Sequence, residues 1–310
     1  MTRLQVVVTV PPHADFLEEV AGHPLVGGLR LNTVMPLKGT IHDTLQRLAG
    51  LGQPLWVDLK GRQLRVAEPA LPPFTAVRLS HRIEVDTPTT ALFGNGEEAV
   101  RVLAVDGDRL ILEDGPRRIL GPGESVNIVD PSLVIHGRLT AQDEAYLHAM
   151  AELGLRRVMM SFAEEEEDLE AVRALLPEAE LVAKIESQKG LRFAPRADAR
   201  LMAARGDLFL ELERPHHVLR ALRALLAVDP HTLVASRICD SLAWQDEPTC
   251  ADISDIACLL GLGCRTLMLG DEVCMRRDSV IAALNLIECV GKDTPGVRVR
   301  ARTLVGAPLG

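Results

Sequence analysis

The stretch "LVAKIESQKGL" at residues 181–191 sets Lys184 and Glu186 two positions apart. On a strand, alternate side chains share a face, so an ammonium and a carboxylate leave a short apolar strand side by side. "ARGDLFLEL" at 204–212 supplies a second carboxylate, Asp207, directly after Arg205 and Gly206. Magnesium takes one or two protein carboxylates and fills its octahedron with water and substrate oxygens. A lysine on the same face is a point charge suited to a phosphate or a developing oxyanion. Arg30 and Arg65 add planar cationic forks. Gly206 reads as a tight turn opening a short helix, whose free N–H groups suit a substrate carboxylate. A site of this composition binds a small, multiply anionic molecule and stabilises an enolate beside a phosphoryl group.

Plainer readings stand beside these. Lys184 and Glu186 also fit a structural ion pair, Arg205 and Asp207 a solvated turn, and Asp58 and Lys60 a surface pair. The run "EEEED" at 164–168 favours the positive end of a helix dipole, His216 and His217 read as surface residues at a helix start, and Met159 and Met160 as core. What favours function for the first group is convergence on one face of one fold.

That fold follows from the hydrophobic rhythm. Strand-like runs at 4–10, 26–32 and 54–61 alternate with helical patterns at 14–22 and 41–52, as in a parallel sheet. From about 65 to 138 no helix pattern appears. Short strand-like runs separated by "GNG", "DGD", "EDGP" and "GPGE" describe a small antiparallel β domain. The earlier rhythm resumes with a helix at 140–154, capped by Thr140 with Asp143 three residues on. It continues through strands in "RRVMMSF", "ELVAKIE", "ARLMAARGD", "HTLVASR" and "RTLMLGDE". Eight strands result, and without the insertion roughly 235 residues remain, near the ~250 of a closed barrel. No glycine-rich dinucleotide turn follows the first strand, which disfavours an open doubly wound sheet. The expected architecture is an α/β (β/α)8 TIM barrel at 1–64 and 138–295. A small β-barrel lid domain is inserted at 65–137, after strand three, and a C-terminal tail covers 296–310.

Active residues of such barrels sit at the C-terminal ends of the strands. The candidates are Arg30 and Asn32 after strand two; Asp58, Lys60 and Arg65 after strand three; Lys184 and Glu186 after strand five; Arg205, Gly206 and Asp207 after strand six; Ser236 and Arg237 after strand seven; and Glu272 after strand eight. The insertion leaves from strand three, over the same face, where a lid would be attached.

A net charge of −9 argues against a nucleic-acid surface. The apolar runs are too short to span a membrane, and the first residues lack a signal-peptide cleavage site. Six cysteines stand in no zinc-ligand spacing and read as reduced, mostly buried thiols. The expectation is a cytoplasmic protein with a small-molecule partner and no nucleic-acid or membrane partner.

The same residues resemble the pyruvate kinase family. "LVAKIESQKGL" is similar to its K-I-E segment and "MAARGDLFLEL" to M-x-A-R-G-D-L-x-x-E. "GLRLN" is similar to A-R-L-N, "DLKGRQLR" to D-T-K-G-P-E-I-R, and "EPTCADISDIACLLGLGCRTLMLGDE" to P-T-R-A-E-x-x-D-V-A-N-A-V-x-D-G-x-D-x-x-M-L-S-G-E. The likeness covers nearly the whole chain in order and implies the family's barrel plus lid. It implies Lys184 at the transferring phosphoryl group, Glu186 and Asp207 as ligands of magnesium or manganese, and Arg30 on the phosphoryl group. It implies the backbone at Gly206–Asp207 on the substrate carboxylate, Asn32 and Asp58 among the ligands of potassium, and Ser236 where a threonine is linked to enolate protonation. Arg65 ends the segment that is similar to D-T-K-G-P-E-I-R.

The chain also departs from the pattern. G-P-A-S is "VPPHA" and N-F-S-H-G is "NTVMP", so Val34 stands in place of a potassium-binding serine and the nucleotide-side histidine is lost. Gln63 replaces an acid, Arg237 a glutamine, and "SGETAKG" becomes "GDEVCMR", with Glu272 retained. The regulatory domain of the family does not follow helix eight in this sequence. The leading expectation is a phosphotransferase moving the phosphoryl group of phosphoenolpyruvate to ADP through an enolate, giving pyruvate and ATP. A metal-dependent lyase, decarboxylase or aldolase on a pyruvate-like 2-oxo acid, without the nucleotide, is the alternative. A non-catalytic metabolite-binding protein is the third reading, and a homodimer through the barrel is the expected assembly.

Overall fold

The computed structural model describes residues 3–299, so most of the expected tail at 296–310 lies outside the described residues. Eight parallel strands, Gln5–Thr9, Val26–Asn32, Leu55–Leu59, Arg157–Met160, Glu180–Ile185, Arg200–Ala204, Leu233–Ala235 and Thr266–Leu269, close into a barrel. The first strand pairs with both the second and the last.

The pleat decides which residues reach the site. Val7, Met159, Val182, Met202, Leu233 and Met268 form a cluster inside the barrel. Their chain neighbours Val6, Val158, Ala183, Leu201, Val234 and Leu267 join the larger cluster packed with the helices. Lys184 and Glu186 continue the parity of Val182, so both project inward at the C-terminal mouth. Leu29 and Leu31 pack outward, which turns Arg30 and Asn32 inward, and Val57 and Leu59 do the same for Asp58. The sixth strand ends at Ala204 and a helix, Arg205–Glu211, begins at once, so the strand reading of "ARLMAARGD" ran three residues too far.

The insertion is all-β. Ala76–Arg78, Arg109–Leu112, Glu98–Asp106, Thr89–Phe93 and Val126–Asn127 form a five-stranded sheet in that order. Ile83–Glu84 and Val134–Ile135 form a separate ribbon. Residues 64–67 join the two edges of the sheet. Val126 N donates to the Leu64 carbonyl at 3.0 Å on one side, and Ala67 N donates to the Arg78 carbonyl at 2.8 Å on the other. The sheet therefore closes on itself around a core that includes Leu64, Val77, Phe93, Val102 and Leu110. The strand Thr89–Phe93 has a weak sequence signal; it follows Pro88, and its buried residues are only Ala91 and Phe93.

Two devices fix the lid to the barrel. The buried Asp143 carboxylate, at the start of the helix Ala141–Glu152, accepts from the backbone N–H of Lys60 at 2.8 Å, Gly61 at 3.2 Å and Thr140 at 2.9 Å. The capping residue thus joins the segments by which the chain leaves and rejoins the barrel. The acidic run supplies the second device. Arg62 pairs with Glu164 at 2.6 Å and Glu165 at 2.9 Å, and Arg138 with Glu165 and Asp168 at 2.6 Å. These acids clamp both lid connections besides opening the helix Glu166–Leu175. Cys239, Cys264 and Cys274 are buried, but Cys250, Cys258 and Cys289 are exposed, against the expectation of mostly buried thiols. Among the described residues no helix is long and apolar enough to cross a membrane.

Candidate active site

A cavity of about 330 Å³ opens at the C-terminal mouth of the barrel, under the lid. Its barrel walls include Arg30, Asn32, Lys184, Glu186, Asp207, Ser236 and Asp271. Gln63 and Arg65 line it from the lid connection, and Asn95, Glu124 and Ser125 from the lid.

The floor is an alternating set of charges. The Lys184 ammonium stands 3.2 Å from both Asp58 and Glu186 and donates to Ser161 Oγ at 2.7 Å. Burial pushes against its charge, but the carboxylates of Asp58 and Glu186 raise its affinity for the proton above the usual lysine range. Arg30 donates through Nε to Asp58 at 2.8 Å and through Nη1 to Thr9 Oγ1 at 2.9 Å, and it pairs with Asp271. Burial opposes the charge of Asp58 too, and Lys184 and Arg30 together hold its carboxyl below its ordinary value. Glu186 accepts from Phe162 N at 2.8 Å, yet burial, helped by Asp207, pushes its carboxyl up to about 7 against the pull of Lys184.

The opposite wall starts with a strained turn. Ser236 and Arg237 have φ of +70° and +56°, a region costly for residues with side chains. Arg205 holds this turn, donating to the Ser236 carbonyl at 2.9 Å and the Arg237 carbonyl at 3.3 Å while Asp255 anchors its guanidinium at 2.7 Å. A side chain at Gly206 would stand 3.3 Å from Ser236 Oγ, so glycine there leaves the serine its place. Asp207 accepts from Gln63 Nε2 and Asn127 Nδ2, each at 3.3 Å.

Of the residues singled out in the sequence, Arg30, Asn32, Arg65, Lys184, Glu186, Asp207 and Ser236 line the cavity, and Asp58 lies beneath it, bonded to Arg30 and Lys184. Lys60, Arg205, Arg237 and Glu272 do not line it. Lys60 bonds Gln142, Arg205 braces the turn, and the Arg237 guanidinium lies 4.8 Å from the Phe209 ring centroid. The acid at the eighth strand's exit that reaches the site is Asp271, whose Oδ2 accepts from Asn32 at 2.6 Å. "LGDE" offered both acids, and only the side following Gly270 could separate them. Ser161 and Asn127 were also missed. A lone serine and a lid asparagine carry no spacing signal, and tertiary contact alone gives them a role.

The donor set fits a divalent ion at Glu186 and Asp207. Glu186 is a buried carboxylate that shares the Lys184 ammonium with Asp58, and Asp207 is bonded only by neutral amides among the described residues. Among the described residues no group of three or more His, Cys, Asp or Glu side chains could hold a metal, so water and substrate oxygens would complete the shell. Asn32 and Asp58 do not fit potassium. Asn32 is bonded to Asp271 and to Val34 N, Asp58 is saturated by Arg30, Lys184 and Ser161, and Val34 brings an apolar side chain to the wall.

Residues 78–276 match the family model described as pyruvate kinase, barrel domain. A pyruvate kinase of Agrobacterium vitis is 32% identical over 209 residues, covering 63% of this chain and 42% of that protein. A pyruvate kinase of Thermoplasma acidophilum is 24% identical over 325 residues, covering 92% of this chain and 57% of its own length. The chain thus spans about half the length of these curated relatives. In fold it is similar to the crystal structure of Cryptosporidium parvum pyruvate kinase, with a TM-score of 0.77 at 19% identity over 93% of this chain and 70% of that one.

Proposed function

The chain belongs to the pyruvate kinase family, and on that premise we propose that it moves the phosphoryl group of phosphoenolpyruvate to ADP. The bond from phosphorus to the enol oxygen breaks, a bond to the terminal phosphate oxygen of ADP forms, and the enolate carbon takes a proton to give pyruvate. The observation that carries this reading is Lys184: an ammonium 7% exposed, held between two carboxylates and facing a cavity that Arg30 and Arg65 also line. In this reading the three cations hold the phosphoryl oxygens and stabilise charge that develops on the enol oxygen in a water-poor site. The N–H groups of Gly206 and Asp207, in the first turn of their helix and without intrahelical partners, take the substrate carboxylate. Ser236 Oγ relays the proton to the enolate carbon. A divalent ion on Glu186 and Asp207 would supply charge neutralisation at the phosphoryl and enolate oxygens.

One observation favours a second reading. Beyond Arg65, where the chain enters the lid, the lid residues lining the cavity, Gly94, Asn95, Gly123, Glu124 and Ser125, include an acid and no cation, so a polyphosphate would meet little positive charge from above. A metal-dependent lyase or decarboxylase acting on a pyruvate-like 2-oxo acid needs Lys184, Glu186 and Asp207 but no nucleotide. Purified protein given phosphoenolpyruvate, ADP and Mg²⁺ is expected to form pyruvate at a rate that Lys184→Met abolishes. Pyruvate formation no faster than by that variant, with oxalate still binding, would transfer support to the second reading.

A further inference from the structure

Asp207 belongs to the barrel, but its hydrogen-bond donors belong to the lid and its connection. Among the described residues only two side chains bond its carboxylate, Asn127 on one oxygen and Gln63 on the other. Asn127 is 3% exposed and Gln63 6%. The Asn127 amide nitrogen also donates to Glu211 at 2.9 Å, one helical turn beyond Asp207, so both its hydrogens are committed to carboxylates of one helix. Two acids at that spacing repel each other, and a neutral donor between them relieves the repulsion. The Asn127 side-chain oxygen, Oδ1, has no hydrogen-bond partner among the described residues. Among the described residues the side chain therefore serves this contact and no bond within the lid. Gln63 is tied in turn to Arg65 through its own amide oxygen.

We propose that Asn127, with Gln63, is a positioning residue by which the lid sets the Asp207 carboxylate for a metal ion, so that lid docking and completion of the metal site are one event. This rests on the reading of Asp207 as a divalent-ion ligand, and it does not require transfer to a nucleotide.

The test is Mn²⁺ binding, read by the loss of the free-ion electron paramagnetic resonance signal, on the full chain without phosphoenolpyruvate or ADP. Asn127→Ala is expected to weaken Mn²⁺ binding by about tenfold or more, the usual effect of removing a group that orients a ligand. Gln63→Ala should do likewise, and the double variant should lose less than the product of the two, because both act on one carboxylate. Thermal denaturation of each variant separates this from unfolding. Val129→Ala, on the same lid segment and 44% exposed, should bind as the parent does. An Mn²⁺ affinity of Asn127→Ala within twofold of the parent, fully multiplicative losses, or no Mn²⁺ binding by the parent would overturn the proposal. Binding with these losses but without ATP formation would leave it standing and sink the phosphotransfer reading instead.

Discussion

Burial alone would favour neutral Lys184, and Asp58 and Glu186 reverse that. For Glu186 the pull of Lys184 does not outweigh burial, and its carboxyl is pushed from an ordinary 4.5 up to about 7, as is that of Glu211, chiefly by burial. The sign of the consequence follows from linkage. Between about 4.5 and about 7 the folded chain holds protons that the unfolded chain has released, so metal-free stability falls as pH rises through that window and levels off above it. Denaturant titrations across the window check this, and a rise in stability with pH would contradict it. A divalent ion must displace the Glu186 proton, so Mn²⁺ affinity is expected to climb toward pH 7 and then level off. At this scale the sequence was most readable where chemistry and spacing coincide. Lys184 and Glu186 could be found from parity alone, whereas Asp271 and Asn127 take their roles from folded neighbours far away in the chain.

The elements carry the strain that positions these groups. Gly61 has φ +51°, and a Cβ there would stand 2.7 Å from the Ser161 carbonyl, a backbone atom with little freedom to move. Gly61→Ala is expected to destabilise the chain by about 1–3 kcal/mol, measured by denaturant unfolding. An unchanged midpoint would mean that the connection can re-form without this turn. Arg205 offers a kinetic counterpart. It braces the left-handed turn at Ser236 from outside the cavity, so Arg205→Ala should lower kcat for pyruvate formation more than it raises KM. A pure KM effect would instead make it a substrate contact. The barrel strands were legible because apolar and β-branched residues alternate with helical patterns in a regular order. The strand Thr89–Phe93 was not, because Pro88 and two threonines resemble a turn until the sheet pairs them. The acidic run was legible as a helix start, but its grip on Arg62 and Arg138 depends on two connections that are distant in sequence.

In the whole molecule, a barrel supplies the reacting floor and a lid, attached at one strand's exit, supplies the cover. Both lid connections are clamped to Glu164, Glu165 and Asp168, at and just before the start of the helix Glu166–Leu175. Asp168→Asn removes a fully buried charge from that clamp and should loosen lid attachment, seen as faster amide exchange across the lid connections while the barrel stays protected. Uniformly faster exchange would mean that the clamp supports the barrel rather than the lid. The barrel-plus-lid plan was legible from the interruption of the helix rhythm between strands three and four. The destination of the phosphoryl group was not, because it depends on charge brought over the cavity by the lid, which no spacing in the sequence announces. Phosphorus NMR of the protein with phosphoenolpyruvate, ADP and Mg²⁺ follows that group directly. The account predicts that the phosphoenolpyruvate resonance is replaced by the three resonances of ATP, with no change in the Lys184→Met variant. An unaltered spectrum, or phosphate released as the free ion with ADP intact, would contradict it.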